Sequence, residues 1–144
     1  MTTALERATA ADISGIVALL AHHHLPIDGV SDRLATTLVA RDAGTIVGTA
    51  ALELFLDGAL MRSVAVAPAH QGSGLGQRLT NAILRLAADE HAPAVYLLTT
   101  TADHYFPKFG FQRIIREEVP PMVSDSVEFT SSCPSTATVM RKAL

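Results

Sequence analysis

Apolar and polar residues alternate with helical spacing in two parts of the chain. The first part opens with Thr9-Ala10-Ala11-Asp12, which resembles a capping box with Asp in place of the usual Glu, and it ends before Pro26. The second part begins at Leu75 and places apolar residues on one face and polar residues on the other. The spacing predicts a helix that ends near Leu20 and a longer helix that begins at Leu75.

Short runs of β-branched and other apolar residues predict the strands. The turn signal Asp42-Ala43-Gly44 lies between two such runs and indicates a β-hairpin. Two short helices are also predicted, one from Ser31 and one that ends at Gly110 and should be kinked by Pro107. The predicted strands cover residues 38–41, 45–54, 59–66, 94–99, 111–115 and 137–141.

These elements predict one domain of mixed α and β structure over residues 1–144. Hairpins come first, a strand–helix–strand crossover follows near the middle, and a long connection from Pro120 to Pro134 precedes the last strand. With 144 residues, 49% of them apolar, the chain can build a substantial core at an ordinary domain size. We therefore expect no second domain.

Charge and composition exclude several kinds of partner. The formal net charge is -3 and the Lys and Arg residues are scattered, so we expect no nucleic-acid partner. No apolar stretch reaches the roughly 18 residues of a membrane span, and the amino terminus lacks a signal-peptide pattern. With a single cysteine, Cys133, the chain is expected to be cytoplasmic. Consecutive histidines at 22–24 would point in different directions on a helix, so we expect no metal.

Three glycines open the helix that begins at Leu75. The segment is Gln71-Gly72-Ser73-Gly74-Leu75-Gly76, and it follows the predicted strand that ends at Val66. The first N–H groups of a helix have no acceptor within the helix, and the helix dipole adds roughly half a positive charge there. Glycine also lets the backbone approach an anion without an intervening Cβ. The segment is therefore typical of a phosphate-binding loop.

Spacing distinguishes between kinds of phosphate-binding loop. A P-loop needs Gly-Lys-Ser/Thr, but Gly76 is followed by Gln77-Arg78. A dinucleotide fingerprint needs another glycine where this chain has Gln77. The pattern from Val64 to Gly76 instead resembles the acetyl-coenzyme A signature of the GNAT acetyltransferase superfamily. A tight turn that uses glycine only for packing is the alternative.

The resemblance covers nearly the whole chain, including Phe109-Gly110-Phe111 near the start of the penultimate strand. It implies an α+β domain with a mixed, largely antiparallel twisted sheet of six or seven strands, about four flanking helices and a splayed central strand pair. It also implies acetyl-coenzyme A (acetyl-CoA) as co-substrate, bound along the signature strand and the glycine loop. The implied cofactor-binding residues are Val64, Ala65, Val66, Gln71, Gly72, Ser73, Gly74, Leu75, Gly76 and Gln77.

Other segments look like two groups within the superfamily. One group is the arsenic-resistance-associated N-acetyltransferases, and the other is the acetyltransferase domain of bacterial N-acetylglutamate synthases. Both imply an acidic amino acid or its analogue as acceptor, although glutamate-forming relatives carry Arg where this chain has Thr101. The similar segments are Glu53 and residues 60–66, 98–102, 128–129, 133–134 and 140–142.

Two residues are candidates for proton transfer. The acceptor amine must lose a proton before it attacks the thioester, and Glu53 shares a predicted strand face with Val47 and Thr49, so it is our candidate base. A solvated strand-end carboxylate, or one paired with Arg62, is the alternative. The tyrosine that often protonates the leaving thiolate in the family is replaced by Phe106. Adjacent Tyr105 could replace it if Pro107 reorients the helix, or it could simply pack the helix on the sheet.

The acceptor site must also be formed by side chains. Arg62 and the threonines Thr99, Thr100 and Thr101 are candidates for binding an acceptor carboxylate, because guanidinium pairs with carboxylates and hydroxyls add hydrogen bonds. Helix capping is the alternative for the threonines. The resemblance also implies that residues 22–28 wall the acceptor site. It further implies that Cys133 is inert packing, because the family transfers acetyl without an acyl-enzyme.

The resemblance thus implies an N-acetyltransferase that moves acetyl directly from acetyl-CoA to the amine of a small molecule. An amino acid or amino-acid analogue is the expected acceptor, and an arsenical is included. A non-catalytic acyl-CoA sensor, for which Phe106 argues, and a protein amino-terminal acetyltransferase are the alternatives. A homodimer could form by edge pairing of an exposed closing strand.

Overall fold

The computed structural model describes residues 4–126, 128–132 and 136–144, with the side chains of residues 131 and 132 left out. Seven strands form one sheet in the order β1-β2-β3-β4-β5-β7-β6. Only β4 and β5 pair in parallel among the described strands, and the other neighbours are antiparallel. The strands are β1 Leu5–Arg7, β2 Thr37–Asp42, β3 Thr45–Phe55, β4 Gly58–Val66, β5 Ala94–Thr99, β6 Gln112–Ile114 and β7 Thr138–Ala143.

Helices flank this sheet, so the predicted α+β class and largely antiparallel sheet are confirmed. The α-helices in the described residues are α1 Ile13–His22, α2 Leu75–Asp89 and α3 Pro121–Ser124. Short 3-10 segments cover Ala10–Asp12, Val30–Thr36, Pro68–His70, Phe106–Phe109 and Arg116–Glu118, and a π-helical segment covers Glu128–Ser132. None of the helices in the described part of the chain is both long and apolar enough to cross a bilayer.

The start of α1 shows how a local signal fixes an element boundary. The Asp12 carboxylate accepts the Thr9 backbone N–H at 2.8 Å, which completes the predicted capping box. Arg41, at the end of β2, binds the same carboxylate through both terminal nitrogens. Arg41 and the Thr9 N–H together lower the pKa of Asp12 to about 2. The carboxylate therefore joins the helix start to the sheet.

Helix α2 packs its apolar face on the centre of the sheet. Leu79 and Ile83 are completely buried and lie in one core cluster with Ala50 and Leu52 of β3. A Cβ at Gly48 would lie 2.9 Å from Leu79 Cδ1, so the small residue permits this close approach. Burying each such leucine or isoleucine contributes roughly 1.5–3 kcal/mol. This packing holds the start of α2 rigidly against the end of β4.

The structure corrects two sequence predictions, the kink at Pro107 and the long connection after Pro120. Pro107 lies in the first turn of a one-turn 3-10 segment, where no helical N–H is lost, so it does not kink a longer helix. Gly110 ends that segment with φ +96°, as predicted. Of the two predicted closing strands, β7 lies between β5 and β6 whereas β6 lies at the edge of the sheet, so a homodimer by edge pairing stays a prediction. The connection after Pro120 contains α3, whereas Cys133 lies outside the described residues.

Candidate active site

The parallel strands β4 and β5 separate soon after they meet. Their pairing consists of Ala59 with Val95 and Leu60 with Tyr96 among the described residues. Beyond these pairs β4 stays bonded to β3, and β5 stays bonded to β7. The carboxyl-terminal halves of β4 and β5 therefore open a gap in the sheet, and the predicted splayed pair is confirmed.

A β-bulge at Ser63 turns the backbone of β4 toward this gap. Ala51 pairs with Arg62 and Thr49 with Ala65, so two residues of β4 lie opposite one residue of β3. Ser63 has φ +58°, a conformation that non-glycine residues rarely adopt. A bulge removes its extra residue from the regular ladder and redirects the neighbouring groups. The backbone at Ser63 and Val64 is thus available to the gap.

The glycine loop presents backbone N–H groups beside the same gap. Gly72 and Gly74 have φ near +80°, and no other atom lies within 4 Å of the position that a Cβ would take on either. The first hydrogen bond of α2 runs from the Arg78 N–H to the Gly74 carbonyl. The preceding N–H groups, at residues 75–77, therefore have no acceptor within the helix. This geometry suits a bound anion.

Beside the loop lies an open groove of about 650 Å³, which we call the loop groove. Eight of the ten predicted cofactor residues line it. The two others do not line it, because the exposed Ser73 hydroxyl donates to the His70 carbonyl and the Leu75 side chain is buried in the core. Cofactor binding by these ten residues stays a prediction. The lining residues are Val64, Ala65, Val66, His70, Gln71, Gly72, Gly74, Gly76, Gln77, Ala102, Tyr105, Phe106 and Lys108.

A smaller pocket of about 270 Å³, the inner pocket, adjoins the loop groove deeper in the gap. The two clefts share Val64, Ala102 and Phe106 as lining residues. Residues His23–Pro26, after α1, form one wall of the inner pocket, as expected for that segment. The other lining residues are Met61, Arg62, Ser63, Leu97, Leu98, Thr99, Thr100, Thr101 and Glu128.

The three predicted threonines line the inner pocket with different roles. Thr99 Oγ1 accepts the Ala102 N–H at 2.9 Å, so its side chain caps the turn after β5. Thr100 and Thr101 are exposed at the pocket mouth. The capping alternative thus holds for Thr99, and substrate binding by Thr99, Thr100 and Thr101 stays a prediction.

Arg62 is buried and lies at the centre of a charge cluster whose other members range from buried to partly exposed. Its side chain is 1% exposed, and its terminal nitrogens contact Glu53 at 2.8 Å and Asp28 at 3.4 Å. Its Nε lies 3.9 Å from Glu128 Oε1. Burial lowers the pKa of Arg62, but Glu128, Glu53 and Asp28 more than offset this effect. The guanidinium is therefore charged and already surrounded by acids, which leaves binding of an acceptor carboxylate by Arg62 as a prediction.

Glu53 lies on the far side of Arg62 from the inner pocket. It lines a separate cleft of about 510 Å³, the outer hollow, together with Asp28 and Arg33. Arg62 lines both clefts and binds Glu53 Oε1 through Nη1. Arg33, which the sequence analysis missed, is 4.0 Å from the same oxygen. The structure shows the alternative interpretation, in which the Glu53 carboxylate pairs with Arg62. A role of Glu53 as base stays a prediction.

Glu128 is the acid that lines the inner pocket, and the sequence analysis gave it no chemical role. It is 4% exposed, and its Oε2 has no hydrogen-bond partner in the described structure. Burial raises the pKa of Glu128 to about 7, with Arg62 opposing and Glu53 adding to the rise. The sequence marked residues 128–129 only as a segment of family resemblance. The residues that bury this carboxyl group, and so raise its pKa, belong to distant parts of the chain.

Tyr105 and Phe106 occupy different positions at the junction of the clefts. Phe106 is buried and lines both clefts, whereas the Tyr105 ring lines the loop groove. A Cβ at Gly76 would lie 3.2 Å from the Tyr105 hydroxyl, so this hydroxyl reaches the first turn of α2. Burial raises the pKa of Tyr105, and a hydrogen bond with Thr80 opposes the rise. Tyr105 is thus protonated at neutral pH and close to the predicted cofactor loop.

Two further side chains with nitrogen atoms at the loop groove were missed by the sequence analysis. Lys108 Nζ lies 4.0 Å from the centre of the Tyr105 ring, and His70 Nε2 lies 2.9 Å from an Asp42 oxygen. Both line the groove. Among the described side chains, no three His, Cys, Asp or Glu groups converge as a metal ion would require. The predicted absence of a metal stays a prediction.

Comparison with known proteins identifies the family of this fold and cleft. Residues 33–113 match the model of the acetyltransferase (GNAT) domain. An amino-acid acetyltransferase of Aeromonas salmonicida is 31% identical over 125 residues, which cover 78% of this chain and 28% of that protein. One of Mycobacterium tuberculosis is 34% identical over 85 residues, covering 58% and 48%. The chain thus spans between about a quarter and a half of these curated relatives.

Solved structures show the same fold. N-acetylglutamate synthase from Neisseria gonorrhoeae, complexed with coenzyme A and N-acetyl-glutamate, superposes with a TM-score of 0.85 at 22% identity, over all of this chain and 35% of that chain. Rv2747 from Mycobacterium tuberculosis, in complex with CoA and NLQ, superposes with a TM-score of 0.83 at 24% identity, over 98% and 99% of the two chains. With the domain match and the splayed strands, these findings show that the chain belongs to the GNAT acetyltransferase family.

Proposed function

We propose that this chain transfers an acetyl group from acetyl-CoA to the amine of a small molecule, with an amino acid as the acceptor class. The observation that carries the proposal is the junction of two clefts at Val64, Ala102 and Phe106. One cleft offers backbone N–H groups for phosphates, and the other offers the buried Glu128 carboxyl group for an amine. A direct transfer needs both reactants to meet at such a junction.

The loop groove fits a coenzyme A pyrophosphate. The open space over Gly72 and Gly74 lets phosphate oxygens approach the free N–H groups at the start of α2. Lys108 adds a cationic side chain and His70 a ring nitrogen at the rim, where both line the groove. When bound, acetyl-CoA supplies the activated acetyl thioester. The backbone at Ser63 and Val64 then offers an N–H toward the carbonyl oxygen on which negative charge develops.

The inner pocket fits a small cationic acceptor. A volume of about 270 Å³ lies at the lower end of ligand-sized pockets. The charge cluster contains two guanidinium groups, Arg33 and Arg62, and three carboxyl groups, Asp28, Glu53 and Glu128. With all three carboxyl groups ionised, the cluster carries one excess negative charge, which an incoming ammonium group would balance. The names of the curated relatives support an amino acid as that ammonium compound.

A more specific form of the proposal is that the acceptor is an amino-acid analogue that contains arsenic. It is supported by the resemblance of Glu53, the Thr99–Thr101 segment and the tail to arsenic-resistance-associated relatives. Release of the coenzyme A thiolate in either case relies on a proton from solvent or from Tyr105, whose hydroxyl reaches the loop groove. Expression of the chain in cells exposed to an amino-bearing arsenical tests this form separately.

The proposal is tested by turnover of the purified chain. Acetyl-CoA is mixed with single amino acids, with an amino-terminal peptide and with amino-bearing arsenicals, and free thiol is measured together with the acetylated product. We expect thiol release with at least one amino acid or analogue and none with the peptide. Tight binding of acetyl-CoA without thiol release across the set would instead indicate a non-catalytic sensor. Turnover of the peptide alone would indicate a protein acetyltransferase.

A further inference from the structure

Among the residues that the structure describes, the inner pocket contains one carboxyl group, and one of its oxygens lacks a hydrogen-bond partner. Glu128 contributes this group, and the other two acids of the cluster, Asp28 and Glu53, line the outer hollow instead. Arg62 lies between the two sides of the cluster. Glu128 is therefore the acid of the cluster that a molecule in the inner pocket can meet directly.

We propose that Glu128 is the general base that takes the proton from the acceptor amine, and that Glu53 acts from behind Arg62 as a positioning residue. The assignment rests on the proposed acetyl transfer. It adds a catalytic residue at a position that neither the glycine loop nor the strand pattern indicates. Glu53 keeps its contact with Arg62, which in turn lies 3.9 Å from the Glu128 carboxyl group.

Packing on both sides fixes the position of Glu128. The next residue, Phe129, is buried in a core cluster with Leu60 and Tyr96, at the point where β4 and β5 still pair. Arg116 stacks over the Phe129 ring with its Cζ 5.6 Å from the ring centre. The Thr130 hydroxyl donates to the Ser126 carbonyl at 2.9 Å and tightens the same turn. The carboxyl group is thus held at the narrow end of the splayed pair.

The proton and bond changes balance without any further reactant. The acceptor ammonium first gives one proton to the Glu128 carboxylate, and the neutral amine nitrogen then forms a bond to the acetyl carbonyl carbon and releases its second surplus proton to solvent. The carbon–sulfur bond then breaks, and the coenzyme A thiolate leaves and takes up a proton. Glu128 returns its proton to solvent when the acetylated product departs, so each cycle begins with the carboxylate form.

Burial and the neighbouring charges set the pKa of Glu128 and so its ability to accept the amine proton. Burial raises its pKa to about 7, Arg62 and Arg33 oppose the rise, and Glu53 and Asp28 add to it. His23 and His24 face the same pocket from the segment after α1. A base with a pKa near the working pH is populated as carboxylate yet still accepts a proton well. The rate is expected to rise with pH through this pKa, because the carboxylate is the active form.

The test compares Glu128→Gln with Glu53→Gln, using acetyl-CoA and the amino acid that gives the fastest thiol release with the wild-type chain. For the wild type we expect kcat/KM to rise tenfold per pH unit to a plateau above an apparent pKa near 7. Glu128→Gln should lower the plateau by about 100-fold or more and abolish this ionisation. Its affinity for acetyl-CoA should stay within about twofold, because the loop groove is unchanged. Glu53→Gln should keep the ionisation but move it to lower pH, because a charge that raises the Glu128 pKa is removed.

Each outcome distinguishes this assignment from the proposed function. If the wild type turns over and Glu128→Gln keeps both the plateau and the ionisation, Glu128 is not the base while the acetyltransferase function stands. If Glu53→Gln alone abolishes the ionisation, Glu53 is the base. If Glu128→Gln does not fold, the comparison of the wild type with Glu53→Gln tests the assignment. An apparent pKa of kcat/KM that is the same in both proteins would then overturn it. If the wild type transfers no acetyl group, the function itself fails.

Discussion

The loop groove and the inner pocket are adjacent, yet backbone groups form most of the first and side chains form most of the second. The loop groove relies on backbone geometry: two glycines with positive φ, the free N–H groups at the start of α2 and a bulged strand. The inner pocket relies on side chains that converge from β4, β5, the segment after α1 and the π-helical segment at Glu128–Ser132. Backbone groups bind any molecule with the same phosphates, whereas a charge cluster discriminates by the acceptor's charge and shape.

This difference teaches which changes each cleft tolerates. A backbone site is insensitive to most side-chain substitutions and vulnerable where a Cβ or a charge enters its open space. The charge cluster is most sensitive to the loss of a buried member such as Arg62, because the buried Glu128 and the acids beside it then lose their compensating charge. The donor and the acceptor can therefore be perturbed separately, and the following predictions use this property.

The largest effect is expected at the centre of the charge cluster. Arg62→Met removes the cation that faces Glu53, Asp28 and Glu128, and should lower the free energy of unfolding by about 3–5 kcal/mol. Arg113→Met is the control, because the pair of Arg113 with Asp103 is largely exposed and should contribute less than about 1 kcal/mol. Urea denaturation measures both. Equal effects would mean that the cluster does not behave as a buried one.

A charge in the loop groove should act on the donor alone. Gly74→Glu places a carboxylate where phosphate oxygens are expected and should weaken acetyl-CoA binding by on the order of 100-fold. Gly44→Glu is a matched control, because Gly44 has the same φ of +84° and equally open surroundings but lies in the β2–β3 turn. Calorimetric titration measures the affinity. Equal acetyl-CoA affinities of the two variants would show that the glycine segment does not bind the phosphates.

A change far from both clefts should affect stability without affecting either reactant. Asp12→Asn weakens the capping box and the pairing with Arg41, and should cost about 1–2 kcal/mol at neutral pH. The pKa of Asp12 is lowered in the folded chain, so its contribution is present above the usual pKa and is lost as the pH falls toward about 2. The difference between variant and wild type should thus shrink between pH 4 and pH 2 in urea titrations. A constant difference would contradict this account.

The smallest effect is expected where the two clefts meet. Tyr105→Phe should lower kcat by less than about tenfold, because solvent can also reach the leaving thiolate in the open loop groove. Tyr96→Phe is the control, since the Tyr96 hydroxyl contacts Arg141 and lines neither cleft. Steady-state thiol release measures both. A fall of 100-fold or more for Tyr105→Phe with unchanged acetyl-CoA affinity would make Tyr105 the required proton donor.

Local sequence signals correctly predicted the elements that depend on residues close together in the chain. The capping box, the helix from Leu75, the strand at 94–99 and the left-handed Gly110 all depend on residues close together in the chain, and each lies where the sequence placed it. Strand β1 was missed because three residues are too few to show alternation. The kink at Pro107 was wrong because a one-turn segment lacks the hydrogen bond that proline would break.

The amino-acid sequence by itself determined the family, the sheet with its crossover and the loop that suits a phosphate, because glycine spacing and hydrophobic periodicity act over a few residues. Only the tertiary structure decided which acid faces the inner pocket. Glu53 follows the strand pattern but lies behind Arg62, while Glu128 comes from the chain's last quarter and is buried beside it. Burial and the charge of distant neighbours set the pKa of a carboxyl group. Neither quantity exists until the strands, the helices and the tail are packed together.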